Sequence, residues 1–189
     1  MSNAVQFDVS QVGGNASEDI KRLLGDPEAF FNSFQKPGQV QLLNAFGRDI
    51  ERRMKVTEIS ILKKKEEPEK LGGRAVMEIE VQEDMVNGGG NIHGGCSAFL
   101  IDTASSFALA ALSLYQSGTI QPSVSQALNV VYHSPATVGE RLRLVNTTLS
   151  IGKRAESVRT EIWNITHHRL VASGVHIKMA PSAPPKASL

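Results

Sequence analysis

Asn87-Gly88-Gly89-Gly90-Asn91-Ile92-His93-Gly94-Gly95 leads straight into an apolar run, Cys96 to Tyr115, and this stretch decides the fold. The first part reads as a glycine-rich loop. The second has no proline or glycine and is apolar or small almost all round, which predicts a helix buried on most sides. Between His93 and Tyr115 the only charge is Asp102. An ionised carboxylate there is costly unless it is paired or lines a wet site. Two chemically useful features result: backbone N–H groups left open at the helix start, and a lone acid further along.

Geometry limits how they can cooperate. Gly94 and Asp102 are eight residues apart, roughly 12 Å along a helix axis at ~1.5 Å per residue. An oxyanion donor and a base acting on one carbon must both lie within about 3–4 Å of the reacting atoms. One helix cannot supply both. Two antiparallel copies can, which predicts a site across a symmetric dimer interface, present twice per pair.

Working outward, residues 1–53 read as a helical extension. Ser17 opens a short helix ending at Gly25, and Asp26-Pro27-Glu28 reads as an N-cap with proline at the first helical position. Phe30, Phe31 and Phe34 follow at near-helical spacing up to Pro37-Gly38, and Val40, Leu42, Leu43, Phe46 and Ile50 form a further amphipathic segment. The arm is expected to cover part of the domain, with substrate gating as the alternative. From Met54 the period becomes strand-like, through Ile59-Ser60-Ile61-Leu62 to a solvated connection at 63–69. After Gly72-Gly73, Ala75, Met77, Ile79 and Val81 alternate with Glu78, Glu80 and Gln82, a half-buried strand. Four more strands are predicted at 124–133, 141–150, 155–165 and 169–179. The first sets Leu128, Val130 and Tyr132 against Ser125, Ala127 and Asn129. The last sets Val171, Val175, Ile177 and Met179 against His176 and Lys178. The central helix is expected to end near Ser117-Gly118, and the proline-rich tail at 181–189 to be unstructured. One long apolar helix among short-connected strands predicts an α+β domain over 54–180, an antiparallel sheet curved around that helix.

Composition narrows the function classes. The 189 residues are 41% apolar, enough for one substantial core. A net charge of +1 argues against a nucleic-acid binder driven by phosphate contacts. The single cysteine, Cys96, excludes an intramolecular disulfide, suits a reducing compartment and is expected to pack rather than react. No secretory signal is evident, and Asp102 with several serines argues against a membrane span. The expected location is the cytoplasm, with mitochondrion and peroxisome as alternatives. No metal-ligand set or redox motif is seen, so no cofactor is expected.

The sequence resembles the hotdog-fold acyl-CoA thioesterases, in the phenylacetic-acid-degradation and thioesterase-superfamily branch. The matching residues are Asn87, His93-Gly94-Gly95, Asp102 nine positions after the histidine, and Val124-Ser125 leading through Asn129, Tyr132 and Ser134-Pro135-Ala136 to Gly139-Glu140. The likeness covers roughly residues 54–179. It implies edge-to-edge dimers with antiparallel central helices, often paired again into tetramers, and sites at the dimer interface for a fatty or aromatic acyl group. It implies that the Gly94 N–H holds the thioester carbonyl oxygen and that the partner's Asp102 is general base or nucleophile. Asn87 and Ser125 would orient water or the reacting groups, and His93 would order the loop or bond the thioester. For the substrate and its coenzyme A portion, the resemblance implies Gly95, Tyr132, Ser134, Ser150, Ile151, Gly152, Lys153, Arg154, Ala155 and Lys178. The alternatives are a hotdog enoyl-CoA hydratase or dehydratase, and a non-catalytic acyl-CoA-binding dimer.

Overall fold

The computed structural model describes residues 8–34 and 45–181. Its frame is α4 (Gly94–Ser117) and a six-stranded sheet of β1 (Lys55–Lys63), β2 (Leu71–Glu80), β3 (Val124–Tyr132), β4 (Arg141–Ile151), β5 (Ala155–Asn164) and β6 (Arg169–Met179). All strand pairs are antiparallel, in the order β1-β2-β4-β5-β6-β3. The expected α+β architecture is thus the observed one. Register shifts at Val56/Glu58, Ser125/Ala127, Thr148/Ser150 and Ile162/Trp163 supply the bends that curl the sheet. Leu100, Ile101, Ala104, Phe107, Ala108 and Ala111 of α4 are fully buried against Ile59, Met77, Leu142, Leu144 and Ile162. By length and mean hydropathy α4 is also long and apolar enough to cross a membrane, but 72% of that stretch is buried inside this fold.

Three features lie beyond the sequence pattern. Gly72-Gly73 lies within β2, paired with Leu62 and Ile61. A Cβ on Gly73 would overlap the Ala108 carbonyl oxygen, so glycine here lets helix and sheet backbones approach. On β3 the bulge between Ser125 and Ala127 reverses the alternation, bringing Ser125 to the helix side with Leu128 and Val130. On β6 the face turned to α4 is the polar one: His176 and Lys178 are buried, while Val175, Ile177 and Met179 are half-buried on the other side.

In the arm, α1 (Glu18–Leu24) is capped by Ser17 and stops at Gly25, and α2 (Pro27–Asn32) is capped by Asp26. Phe30 packs on Phe107 with ring centroids 4.4 Å apart, fastening α2 to the core helix. The amphipathic segment expected from Val40 to Ile50 is not one helix. Gly47 takes a left-handed φ of 71° beneath the Phe99 ring, and α3 (Arg48–Arg53) starts only after it. Val40, Leu42, Leu43, Pro37, Gly38 and the tail at 182–189 lie outside the described residues. Buried Arg48 ties α3 to α2 through Glu28 at 2.9 Å.

Candidate active site

The loop before α4 is pinned at both sides. His93 N–H donates to the Met85 carbonyl at 2.8 Å, and Ile92 N–H to the Ala136 carbonyl at 2.7 Å. Asn87 Oδ1 accepts from the N–H groups of Gly89 (2.9 Å) and Asn91 (3.3 Å), the Asx-turn role its place before three glycines suggests. Its oxygen is therefore committed to the loop, leaving the amide N–H donors for other use. His93 is the N-cap: its Nδ1 accepts from Gly95 N–H at 2.8 Å. An accepting Nδ1 requires a neutral ring with its proton on Nε2. Gly95 N–H is thereby consumed, a correction to the expectation of several open donors. Gly94 N–H has no acceptor among the described residues, and it points from the positive end of a 24-residue helix. Tyr132 Oη donates to the Gly94 carbonyl at 3.1 Å, and a Cβ on Gly94 would press on the Tyr132 ring at 3.3 Å.

Two turns along α4, Asp102 reaches the surface with 46% of its side chain exposed. Ser125 Oγ, delivered by the β3 bulge, donates to Asp102 Oδ1 at 2.9 Å. His176 Nε2 lies 3.2 Å from the same oxygen, off the line of a good hydrogen bond. Its Nδ1 is 2.7 Å from Ser105 Oγ. Ser105 Oγ also lies 3.0 Å from the Asp102 main-chain carbonyl oxygen, and its single hydrogen can serve only one of these two partners. Burial pushes the His176 pKa down; Asp102 opposes that shift and Lys178 adds to it. Lys178 Nζ donates to Ser106 Oγ at 2.8 Å, one turn beyond Asp102. Burial lowers its pKa too, against the pull of Asp102 and Glu156.

Each chain thus holds the open N–H and the acid–hydroxyl pair on one helix, and does not bring them together. The residues assigned to coenzyme A also divide. Tyr132 and Ser134 lie at the start of α4, where Ser134 Oγ is bonded to the Leu170 carbonyl at 2.5 Å. Ser150 to Ala155 form the β4–β5 turn near the other end, where Ile151 shares a cavity with Leu112 and Gln116. Gly152, Lys153 and Arg154 border a cleft of about 310 Å³ with Gln121, Pro122 and Pro181. Neither Lys153 nor Arg154 forms an ion pair among the described residues. Lys178, expected at the outer surface, is instead buried against α4 because the β6 register turns it inward. Cys96 packs: burial and Asp84 push its thiol up to about 11 against Arg53. His176, Ser105 and Ser106 were not singled out from sequence. A histidine and a lysine alternating on an otherwise apolar strand were the available signal.

Comparisons with known proteins meet this geometry. The thioesterase superfamily pattern matches residues 89–171, from the glycine loop into β6. Mouse acyl-coenzyme A thioesterase 13 is 35% identical over 111 residues, spanning 59% of this chain and 73% of the mouse protein. The crystal structure of zebra fish thioesterase superfamily member 2 superposes with a TM-score of 0.59 at 26% identity, covering 82% of this chain and 95% of that one. Mouse thioesterase superfamily member 2 gives 0.56 at 28% identity, covering 72% and 90%. The sequence and the fold are therefore shared with proteins of one kind, and the chain belongs to the hotdog-fold thioesterase superfamily.

Proposed function

We propose that the chain hydrolyses a fatty or aromatic acyl-CoA to the free acid and coenzyme A, at sites shared by two copies. The observation that carries this reading is the separation on one helix of an unpartnered Gly94 N–H and the Asp102–Ser125 pair. Each is half of a hydrolytic site. Antiparallel placement of a second α4 would set Asp102 beside the partner's Gly94. The surface for such pairing is available: β3 is a sheet edge, its nine residues contain no proline or charge, and Val124, Val131 and Tyr132 are exposed.

In that arrangement the Gly94 N–H polarises the thioester carbonyl and takes the charge of the tetrahedral intermediate, where such a donor contributes about 2.7–4 kcal/mol. Asp102, held by Ser125, either takes the proton of a water whose oxygen attacks the carbonyl carbon, or attacks that carbon itself to form a mixed anhydride that water then hydrolyses. In both routes the C–S bond breaks and coenzyme A leaves as the thiolate. The Asn87 amide N–H groups and His93 Nε2–H flank the reacting carbonyl. The unpaired Lys153 and Arg154 suit the nucleotide phosphates. Hydration at the acyl β-carbon is less well served, because His176, the histidine beside Asp102, is fully buried. The test is incubation with saturated acyl-CoA and, separately, enoyl-CoA. Release of free thiol from the first is expected. Hydration of the second without thiol release, or binding without turnover at high enzyme concentration, would overturn the proposal.

A further inference from the structure

We infer that the acyl tail of the substrate is measured by the N-terminal arm, in a chamber that Phe31 and Phe34 close. The inference rests on the thioesterase reading of Asp102 and adds where the acyl group goes. Asp102, Ser106, Leu109, Ala110 and Ser113 follow the i, i+4, i+7, i+8, i+11 pattern of a single helix face. From Ser106 onward this stripe lines a cavity of about 290 Å³. Phe30, Phe31 and Phe34 of the arm form its roof, and Ile120 and Pro122 flank it before β3. Ser106 and Lys178, hydrogen-bonded to each other one turn from Asp102, also line it, as does Glu156.

A tail leaving a carbonyl carbon at Asp102 would pass Ser106 and Lys178 and then meet a mostly aliphatic and aromatic wall, with Ser113, Gln121 and Ser123 as its polar members. The volume holds roughly ten water-sized groups, each about 30 Å³, which suits a medium-length chain or an aryl-alkyl group. The roof is anchored. Phe30 stacks on Phe107, Phe31 meets Phe107 edge-on at 5.6 Å, and the Arg48–Glu28 pair ties α2 to α3. Phe34 is 48% exposed and meets Phe30 edge-on at 5.1 Å, so it lies at the outer side of the roof.

The test is kcat/KM across saturated acyl-CoAs from four to sixteen carbons, for wild type, Phe34→Ala, Phe31→Ala and Ser113→Leu. Wild type should gain about fourfold per buried methylene until the chamber is full, then fall. Phe34→Ala and Phe31→Ala should move the optimum to longer chains, and Ser113→Leu to shorter ones. Phe34→Ala decides the matter if Phe31→Ala fails to fold. Hydrolysis with an unshifted chain-length profile in Phe34→Ala and Ser113→Leu would overturn this inference alone. No hydrolysis of any acyl-CoA by wild type would overturn the thioesterase reading and the inference together.

Discussion

Ser125 Oγ reaches Asp102 Oδ1 at 2.9 Å only because β3 bulges immediately after Ser125. Without that extra residue Ser125 would point away from the helix and the acid would lose its donor. The carboxylate is thus oriented by a strand irregularity, with His176 behind it and solvent in front.

Asp102→Asn keeps an acceptor for Ser125 and removes the charge. Turnover should fall about 10²–10⁴-fold, the usual worth of a positioned base. Ser125→Ala removes one hydrogen bond to a charged group, worth about 1.5–3 kcal/mol, so turnover should fall roughly 10–100-fold. Steady-state kinetics and thermal denaturation check both. Near-wild-type rates for Asp102→Asn would remove the acid from the reaction.

Stability should depend on pH through His176. Burial holds its folded pKa below the ordinary 6.5, with Asp102 opposing and Lys178 reinforcing. The unfolded chain then binds the proton more readily than the folded one. Stability is accordingly complete above about pH 6.5 and is lost as pH falls from there through the folded value. Denaturation midpoints between pH 8 and 5 should fall for wild type and flatten for His176→Gln over that window. Equal slopes for the two proteins would contradict the assignment.

Gly73→Ala should destabilise the fold by about 1–3 kcal/mol, the range for overpacking, because its Cβ meets a backbone carbonyl at Ala108 rather than a yielding side chain. Chemical denaturation of this variant beside wild type measures it. An unchanged midpoint would mean that α4 and β2 are not in close contact there.

Much of this was legible in the chain. The apolar run without glycine or proline gave α4, Ser17 and Asp26 gave the caps of α1 and α2, and Asp102 stood out as the lone charge in its helix. What was not legible depends on register. Alternation on β6 separates His176 and Lys178 from Val175 and Ile177 but does not say which set meets the helix. The polar set does, because Ser105, Ser106 and Asp102 on α4 provide partners for it. The Ser125 bulge leaves no mark in a period-2 pattern. The use of Gly73 is a close approach set by a helix distant along the chain, which local pattern does not show.

The central claim is that each site draws on two chains. Gly94→Pro removes the N–H donor and Asp102→Ala removes the acid, so each protein alone should be nearly inactive. After subunit exchange at equal concentrations, half of the dimers are mixed and each mixed dimer holds one intact site of two. About a quarter of wild-type acyl-CoA hydrolysis should therefore return. Verified mixed dimers with no recovered activity would contradict a shared site.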